Sequence, residues 1–339
     1  MLAFPAHQTD SSGGGSGGVS FALAQGAYSG LFYETNGVKP ASSGFFTAKV
    51  TGRGSVSAKL QLGSQTYSFA TVFNSSGNCT GYATAKGLAP LTVTLHIVNN
   101  DQLIGQVVSG SGWTAQLLAV TKATTVASKN SLVLSMDADS STTVSGDSFG
   151  TMSLSKSGDI QWSGVLPDGV KVGQKSVLSK DGIWPMYSSL YGGSGALVGW
   201  LQRTNGSSEI GGSAVWIVPA NRNALYPNGL TNELNASSSS VANTPANSHS
   251  TIILSGSHLS SPITNNVTIS GKTGQSVDKS LTLSVDVKNG LFNGSVVDPD
   301  SGQKLLFQGA LLEKSGIGGG FFLNATKDQG GKVYLAPAN

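Results

Sequence analysis

The feature that most constrains this fold is a hairpin pattern that occurs three times along the chain. Each copy has a short apolar strand, a glycine turn and a second strand with alternating apolar residues. The copies lie at residues 45–62, 151–166 and 281–297. Repeated hairpins of this kind are typical of antiparallel sheets, and no window has a sustained helical period. The sequence therefore predicts an all-β protein built from three related antiparallel hairpin or meander modules.

Turn and composition signals divide the chain into five segments. We expect a flexible Gly/Ser-rich linker at 1–25, a first barrel-like module at 26–124, a second β module at 125–234, a Ser/Asn-rich connection at 235–250 and a third β module at 251–339. Eight strand candidates in meander order are enough to close a small barrel in the first module. The modules are predicted to be small barrels or sandwiches, and the second and third could share one core.

Two hairpins are specific enough to predict which residues face each other. A two-residue Gly-Ser turn predicts that Leu60 lies opposite Tyr67, with alternate residues on an apolar face. The Asn-Gly pair at 289–290 is the strongest hairpin signal in the chain, and a two-residue turn there places Val285 opposite Gly294.

Composition indicates an exported protein. Charged residues make up 11% of the chain, against about 25% in typical soluble domains, and Ser, Thr, Asn and Gly replace them. The 20 Lys and Arg residues are scattered, so we expect no nucleic-acid partner. A single cysteine, Cys79, excludes an internal disulfide. No run approaches the roughly 18 apolar residues of a membrane helix, so we expect a protein that does not span the membrane. The composition favours an extracellular or cell-surface protein. The start of the chain has no full signal-peptide pattern and leads into a Gly/Ser-rich linker, so we expect a segment cut from a longer exported precursor.

Several segments resemble known β-rich repeat modules. They include GAYSGLFYETNG at 26–37, SKDGIWPMY at 179–187 and GGGFFL at 318–323. Together with the segments between them, they resemble C-terminal modules of large secreted or surface proteins of environmental Gram-negative bacteria, over about 26–337. The resemblance implies a place in a multidomain exported protein, and it implies no particular activity or catalytic residue.

Catalytic and metal-binding patterns are weak, so we predict no catalytic residue, no metal site and no cofactor. None of the four histidines has a metal-ligand spacing partner. An enzyme would need two close acids, or an acid beside His96 or His258, in a cleft. A loose cation site through Asp137, Asp139 and Asp147 is the remaining metal candidate.

Aromatic residues are concentrated in the second module. Trp and Tyr rings can stack on sugar rings or anchor an interface, or they can simply fill a core. Because Pro185 makes its segment an edge strand, a bulge or a loop, the best ligand-binding candidates are Trp184 and Tyr187, with Tyr191 and Trp200 beside them.

Two functions therefore remain open. The first is a non-enzymatic extracellular module for adhesion or carbohydrate binding, with a glycan or another surface protein as partner. The second is a structural spacer or assembly module of a surface protein or appendage, in which strand edges pair between chains. The sequence leaves the ligand and the oligomeric state open.

Overall fold

The structure, a computed structural model, describes most of the chain. The described residues are 2–5, 19–136, 146–204, 207–241, 247–256, 259–276, 280–312 and 315–337. They form three eight-stranded antiparallel sheets, a one-turn helix α1 (Phe21–Ala24) and a short 3₁₀ turn. The prediction of an all-β chain of three related antiparallel modules is confirmed. Within the described residues, no helix has the length and apolar character that a membrane crossing requires.

The first sheet curls into a nearly closed barrel. Its strands are β1 (Gly26–Tyr33), β2 (Gly44–Val50), β3 (Ser55–Leu62), β4 (Gln65–Val72), β5 (Asn78–Ala83), β6 (Leu91–Val98), β7 (Gln102–Ser109) and β8 (Thr114–Thr121). Because β1 also pairs with β8, the edges of the sheet are β4 and β5. One antiparallel bridge between Ser68 and Thr84 joins these edges. The predicted pairing of Leu60 with Tyr67 is confirmed.

The second barrel repeats the strand order of the first. Its strands are β9 (Ser128–Met136), β10 (Ser148–Leu154), β11 (Asp159–Val165), β12 (Lys171–Val177), β13 (Ile183–Leu190), β14 (Gly195–Arg203), β15 (Ile210–Val218) and β16 (Leu230–Ser240). Its edges are β12 and β13. Pro185 lies in the edge strand β13, where its missing N–H costs no ladder hydrogen bond. Side chains join the edges instead, since Gln174 and Ser176 both donate hydrogen bonds to the Pro185 carbonyl, at 3.1 and 3.0 Å.

The third barrel is fully closed. Its strands are β17 (Asn247–Gly256), β18 (Ile263–Ser270), β19 (Thr273–Ser276), β20 (Leu281–Asp286), β21 (Leu291–Val297), β22 (Lys304–Leu312), β23 (Ile317–Leu323) and β24 (Gly330–Pro337). Each strand pairs with the next, and β17 pairs with β24. The third hairpin copy, around Gly290, joins the fourth and fifth strands here. The other two copies join the second and third strands of their barrels, so the third copy is not structurally equivalent.

A shared turn explains the repeat between the first two barrels. Thr51 Oγ1 accepts a hydrogen bond from the N–H four residues later at 3.1 Å, and Ser155 Oγ does the same at 3.0 Å. Gly54 and Gly158 follow three positions after these residues, with φ of +79° and +81°. Glycine suits these turns because it adopts positive φ without a steric penalty. Each glycine carbonyl also accepts a backbone N–H from the next hairpin, at 2.9 and 2.8 Å.

The predicted register of the Asn-Gly hairpin is wrong by two residues. Val285 faces Phe292, not Gly294. The loop has four residues instead of two, because the Asp286 side chain caps it and accepts hydrogen bonds from the Lys288 N–H at 3.1 Å and from Asn289 Nδ2 at 2.5 Å. A shift of two leaves the faces of the strand unchanged, so the apolar face is still buried.

Two predicted linkers contain regular structure or packed residues where the structure describes them. The predicted connection 235–250 is wrong at both ends, where β16 continues to Ser240 and β17 begins at Asn247. The serine run 237–240 extends β16 because all four residues pair with β9, and Ser237 also pairs with β15. In the predicted linker 1–25, Leu2 is buried and α1 packs its Ala24 into the first barrel, while 6–18 lies outside the described residues.

Candidate functional site

The first two barrels meet through strands that are buried on both faces. On β14 and β15, Leu197 and Trp216 pack inside the second barrel. The alternating residues Val198, Trp200 and Ile217 instead form a separate apolar cluster with the first barrel. The first barrel contributes Leu31, Tyr33, Phe45 and Leu118 to this cluster. We call this contact the apolar junction.

Hydrogen bonds and an ion pair cross the same contact. The Trp200 indole donates to the Tyr33 hydroxyl at 2.9 Å, in a buried position. The Tyr187 hydroxyl accepts from the Gly63 N–H at 3.2 Å. Burial raises the pKa of Tyr187 to about 12, so this hydroxyl is neutral at ordinary pH. An ion pair of 2.7 Å joins Lys180 to Asp101 of the first barrel.

The segment that connects the two barrels is bonded to the second one. Its backbone N–H groups at Ala123 and Thr125 donate to the carbonyls of Leu178 and Lys156, both at 3.0 Å. Lys122 forms an ion pair with Asp159 at 3.0 Å. A chain held at several points has few alternative conformations, so the connection does not act as a free hinge.

The structure separates the four predicted ligand-binding residues. Trp184 has no exposed surface and lies inside the second barrel, with its ring 6.4 Å from that of Trp162 in an edge-on contact. Tyr187 and Trp200 lie in the apolar junction and are 2% and 7% exposed. Only Tyr191 is partly exposed. Ligand binding by these residues stays a prediction, and their burial favours the alternative role in packing.

Tyr191 belongs to a polar cluster at one end of the second barrel. Its hydroxyl donates to Asp168 Oδ2 at 2.5 Å, and Asn223 Nδ2 donates to the same oxygen at 2.6 Å. Burial raises the pKa of Asp168 despite these hydrogen bonds. Because every donor comes from this barrel, the carboxylate holds the loop containing Asn223 over the barrel end.

A polar cleft lies beside the apolar junction, and we call it the junction cleft. It consists of two cavities of about 400 and 520 Å³, and Lys175 lines both. The smaller cavity has Gln61 of the first barrel on one side and Lys171 and Gln174 of the second on the other. Asp159 lines the larger cavity. Its residues come from strands that sequence reasoning placed in separate modules, so no local motif pointed to it.

The second and third barrels also meet face to face. The outward-facing residues Ala310, Phe321 and Leu323 of the third barrel join the cluster of the second, with Phe149 and Phe321 rings 5.8 Å apart. The interior of the third barrel forms its own cluster. The two barrels therefore keep separate cores, and they touch through their outer faces.

A buried ion pair lies at this second contact. Lys332 Nζ is 3.0 Å from Asp147 Oδ2, and the side chain of Asp147 is 4% exposed. The Asp147 N–H also donates to the Gly320 carbonyl at 3.0 Å. Burial raises the pKa of Asp147, and Lys332 opposes that shift.

We expect Lys332→Met to lower the free energy of unfolding by about 1–3 kcal/mol at pH 7, because it leaves a buried carboxylate without its cation. This expected loss is smaller than the loss for a fully buried ion pair, because the Lys332 side chain is 34% exposed. The loss should shrink as the pH falls through the raised pKa of Asp147, because the protonated acid needs no cation. Urea unfolding at pH 7 and at pH 4.5 measures both effects.

The double variant Asp147→Asn with Lys332→Met tests whether the unpaired Asp147 carboxylate causes the loss of stability. It should recover most of the free energy of unfolding that Lys332→Met alone loses at pH 7. Lys304→Met, which changes an exposed lysine of the same barrel, is the matched control. A loss in Lys332→Met that is the same at both pH values would contradict the role of Asp147.

Catalytic and metal candidates do not converge. Among the described residues, no group of three or more His, Cys, Asp or Glu side chains is placed to hold a metal ion. His96 Nδ1 is hydrogen bonded to Asn78 Oδ1 at 2.9 Å on an exposed face. His258, Asp137 and Asp139 lie outside the described residues.

Comparison with known proteins gives no family. No protein-family model and no curated protein matches this chain. Among solved structures, a tryptophan-to-alanine mutant of transferrin binding protein B from Haemophilus parasuis Hp5 aligns at a TM-score of 0.24 and 13% identity, over 92% of this chain and 76% of that one. Isotype 1 transferrin binding protein B from serogroup B Neisseria meningitidis aligns at 0.23 and 11%, over 87% and 66%. Scores this low imply nothing about the partners or activity of this chain.

Proposed function

We propose that this chain is a non-enzymatic structural module of an exported surface protein, which holds the parts joined to it at a fixed spacing and orientation. The observation that carries the proposal is that each junction between barrels contains buried apolar side chains. A hydrophobic interface of this kind resists relative motion, whereas domains joined by polar contacts move freely.

The connection between the first two barrels supports the same function. A flexible tether would leave its backbone groups to water, but this segment donates to carbonyls of the second barrel. Location at the cell surface is part of the proposal. The low charge content and the resemblance of the sequence to modules of secreted bacterial proteins support it.

The predicted adhesion or carbohydrate-binding function is not supported by Trp184, Tyr187, Tyr191 and Trp200. The first, second and fourth of these side chains are buried, and the hydroxyl of the third is bonded to Asp168. A spacer that assembles through strand edges is also unsupported for β12 and β13, because side chains already join these edges.

Distances between spin labels test the proposed rigidity. In a chain carrying Cys79→Ser, we would label Tyr82→Cys in the first barrel and Leu306→Cys in the third, positions that are 70% and 56% exposed. Pulsed electron–electron double resonance should give one narrow distance distribution, because the two packed junctions between the labels prevent relative motion of the barrels.

The same labels in a Trp200→Ala chain provide the comparison. Removing this ring from the apolar junction should broaden the distribution. A broad or multimodal distribution in the chain with intact junctions would overturn the proposed function.

A further inference from the structure

The junction cleft carries a net positive charge that no described residue neutralises. Lys171 and Lys175 are exposed at its wall and have no carboxylate partner within the described parts of the chain. Asp159 is the one carboxylate among the lining residues. It already accepts hydrogen bonds from Lys122 at 3.0 Å and from Ser157 at 2.6 Å. A cleft with walls of one sign of charge concentrates ligands of the opposite sign.

Groups that can hydrogen bond to a ligand line the cleft from both barrels. The first barrel supplies the exposed side-chain amide of Gln61, and β13 of the second barrel supplies Ser189. An amide or a serine hydroxyl can both donate to and accept from a sugar hydroxyl. Gln174 also lines the cleft, but it lies opposite the inward-facing Trp162, so its side chain points into the second barrel.

Size and shape restrict the ligand further. A cavity of about 400 Å³ is in the range of small-molecule sites. Two parallel rings, Phe45 and Tyr187, with centroids 6.4 Å apart, form its apolar part. We infer that the junction cleft binds an acidic saccharide, a sugar ring with several hydroxyl groups and one carboxylate or sulfate. Lys171 and Lys175 bind the anionic group, and the Gln61 amide hydrogen bonds to a ring hydroxyl.

This site is independent of the structural function, and it uses none of the four aromatic residues as a stacking surface. Tyr187 lines the cleft while its hydroxyl stays bonded to the first barrel. The cleft exists only because the two barrels are packed together, since each barrel supplies one wall.

Titration calorimetry with the whole chain tests the inference. The probes are trigalacturonic acid, a chondroitin sulfate disaccharide, neutral maltotriose and inorganic sulfate. One or both acidic sugars should bind. Binding of trigalacturonic acid would indicate a carboxylate as the anionic group, and binding of the chondroitin sulfate disaccharide alone would indicate sulfate. Lys175→Gln should weaken that binding about tenfold or more, and added NaCl should weaken it as well. Lys304→Gln, an exposed lysine in the third barrel, is the matched control and should bind as the unmodified chain does.

Three results would contradict different properties of the proposed site. Absence of binding by both acidic sugars, or binding that Lys175→Gln leaves unchanged, would overturn the site. If neutral maltotriose binds as tightly as the acidic sugars, the site does not recognise an anionic group. Equal binding of inorganic sulfate would mean that the cleft holds an adventitious ion only. Because both lysines are exposed, their substitution should leave the fold intact, which a circular dichroism melt verifies.

Discussion

Val198→Asp should lower the free energy of unfolding by about 4 kcal/mol, because it buries an unpaired charge. Val198 points away from the interior of its own barrel, yet it has no exposed surface, since the first barrel covers it. On a barrel that stood alone, the same substitution would be a surface change of about 0.5 kcal/mol or less. Urea unfolding followed by intrinsic fluorescence measures the difference.

Ser163→Asp is the matched control for this substitution. Ser163 also points outward on the second barrel, on β11, but it is exposed. We expect the control to unfold at nearly the same urea concentration as the unmodified chain. If Val198→Asp behaves like the control, the apolar junction does not form in solution.

Trp184→Ala should cost about 3–5 kcal/mol, because it removes a large side chain from a closely packed interior. The ring has no exposed surface and contacts the Trp162 ring edge-on. The expected effect is on stability, measured by urea unfolding, and not on ligand affinity, which separates a packing residue from a binding residue.

Trp184→Phe tests the cause of that loss. None of the described residues accepts a hydrogen bond from Trp184 Nε1. Phenylalanine therefore loses volume but no hydrogen bond, and we expect a cost of about 1–2 kcal/mol. A loss as large as that of alanine would contradict a role limited to filling the barrel.

Local sequence patterns predicted the fold well where one face of a strand meets water. The hairpin of β3 and β4 is an example, because its apolar residues alternate with exposed ones and a one-residue shift would expose Leu60. The Asn-Gly hairpin was predicted in the wrong register because the Asp286 side chain lengthens the loop, a contact that the turn residues alone do not reveal.

The apolar junction was not predicted, although the sequence carries a signal for it. Residues 196–201 and 214–218 are almost continuously apolar, which is typical of strands buried on both faces. Trp184 and Trp200 were chosen from the sequence as binding candidates, but Trp184 faces inward and Trp200 faces the first barrel. Which barrel covers which strand depends on tertiary packing, and no repeat or turn motif encodes it.

The junction cleft was beyond sequence reasoning for a different reason. Lys171 and Lys175 appear as isolated charges on an exposed strand, and such residues are usually solvated. They become candidates for ligand binding only because the packing of two barrels places Gln61 opposite them.

The central claim is that packed outer faces join the barrels into one body, and regional unfolding tests it most directly. Hydrogen exchange of the whole chain, read by mass spectrometry at increasing urea concentration, reports the stability of each strand separately. We predict that peptides from β3 of the first barrel and from β14 of the second lose protection at the same urea concentration, because unfolding either barrel exposes the apolar junction. Loss of protection in β3 at a clearly lower concentration, with β14 unaffected, would contradict the claim.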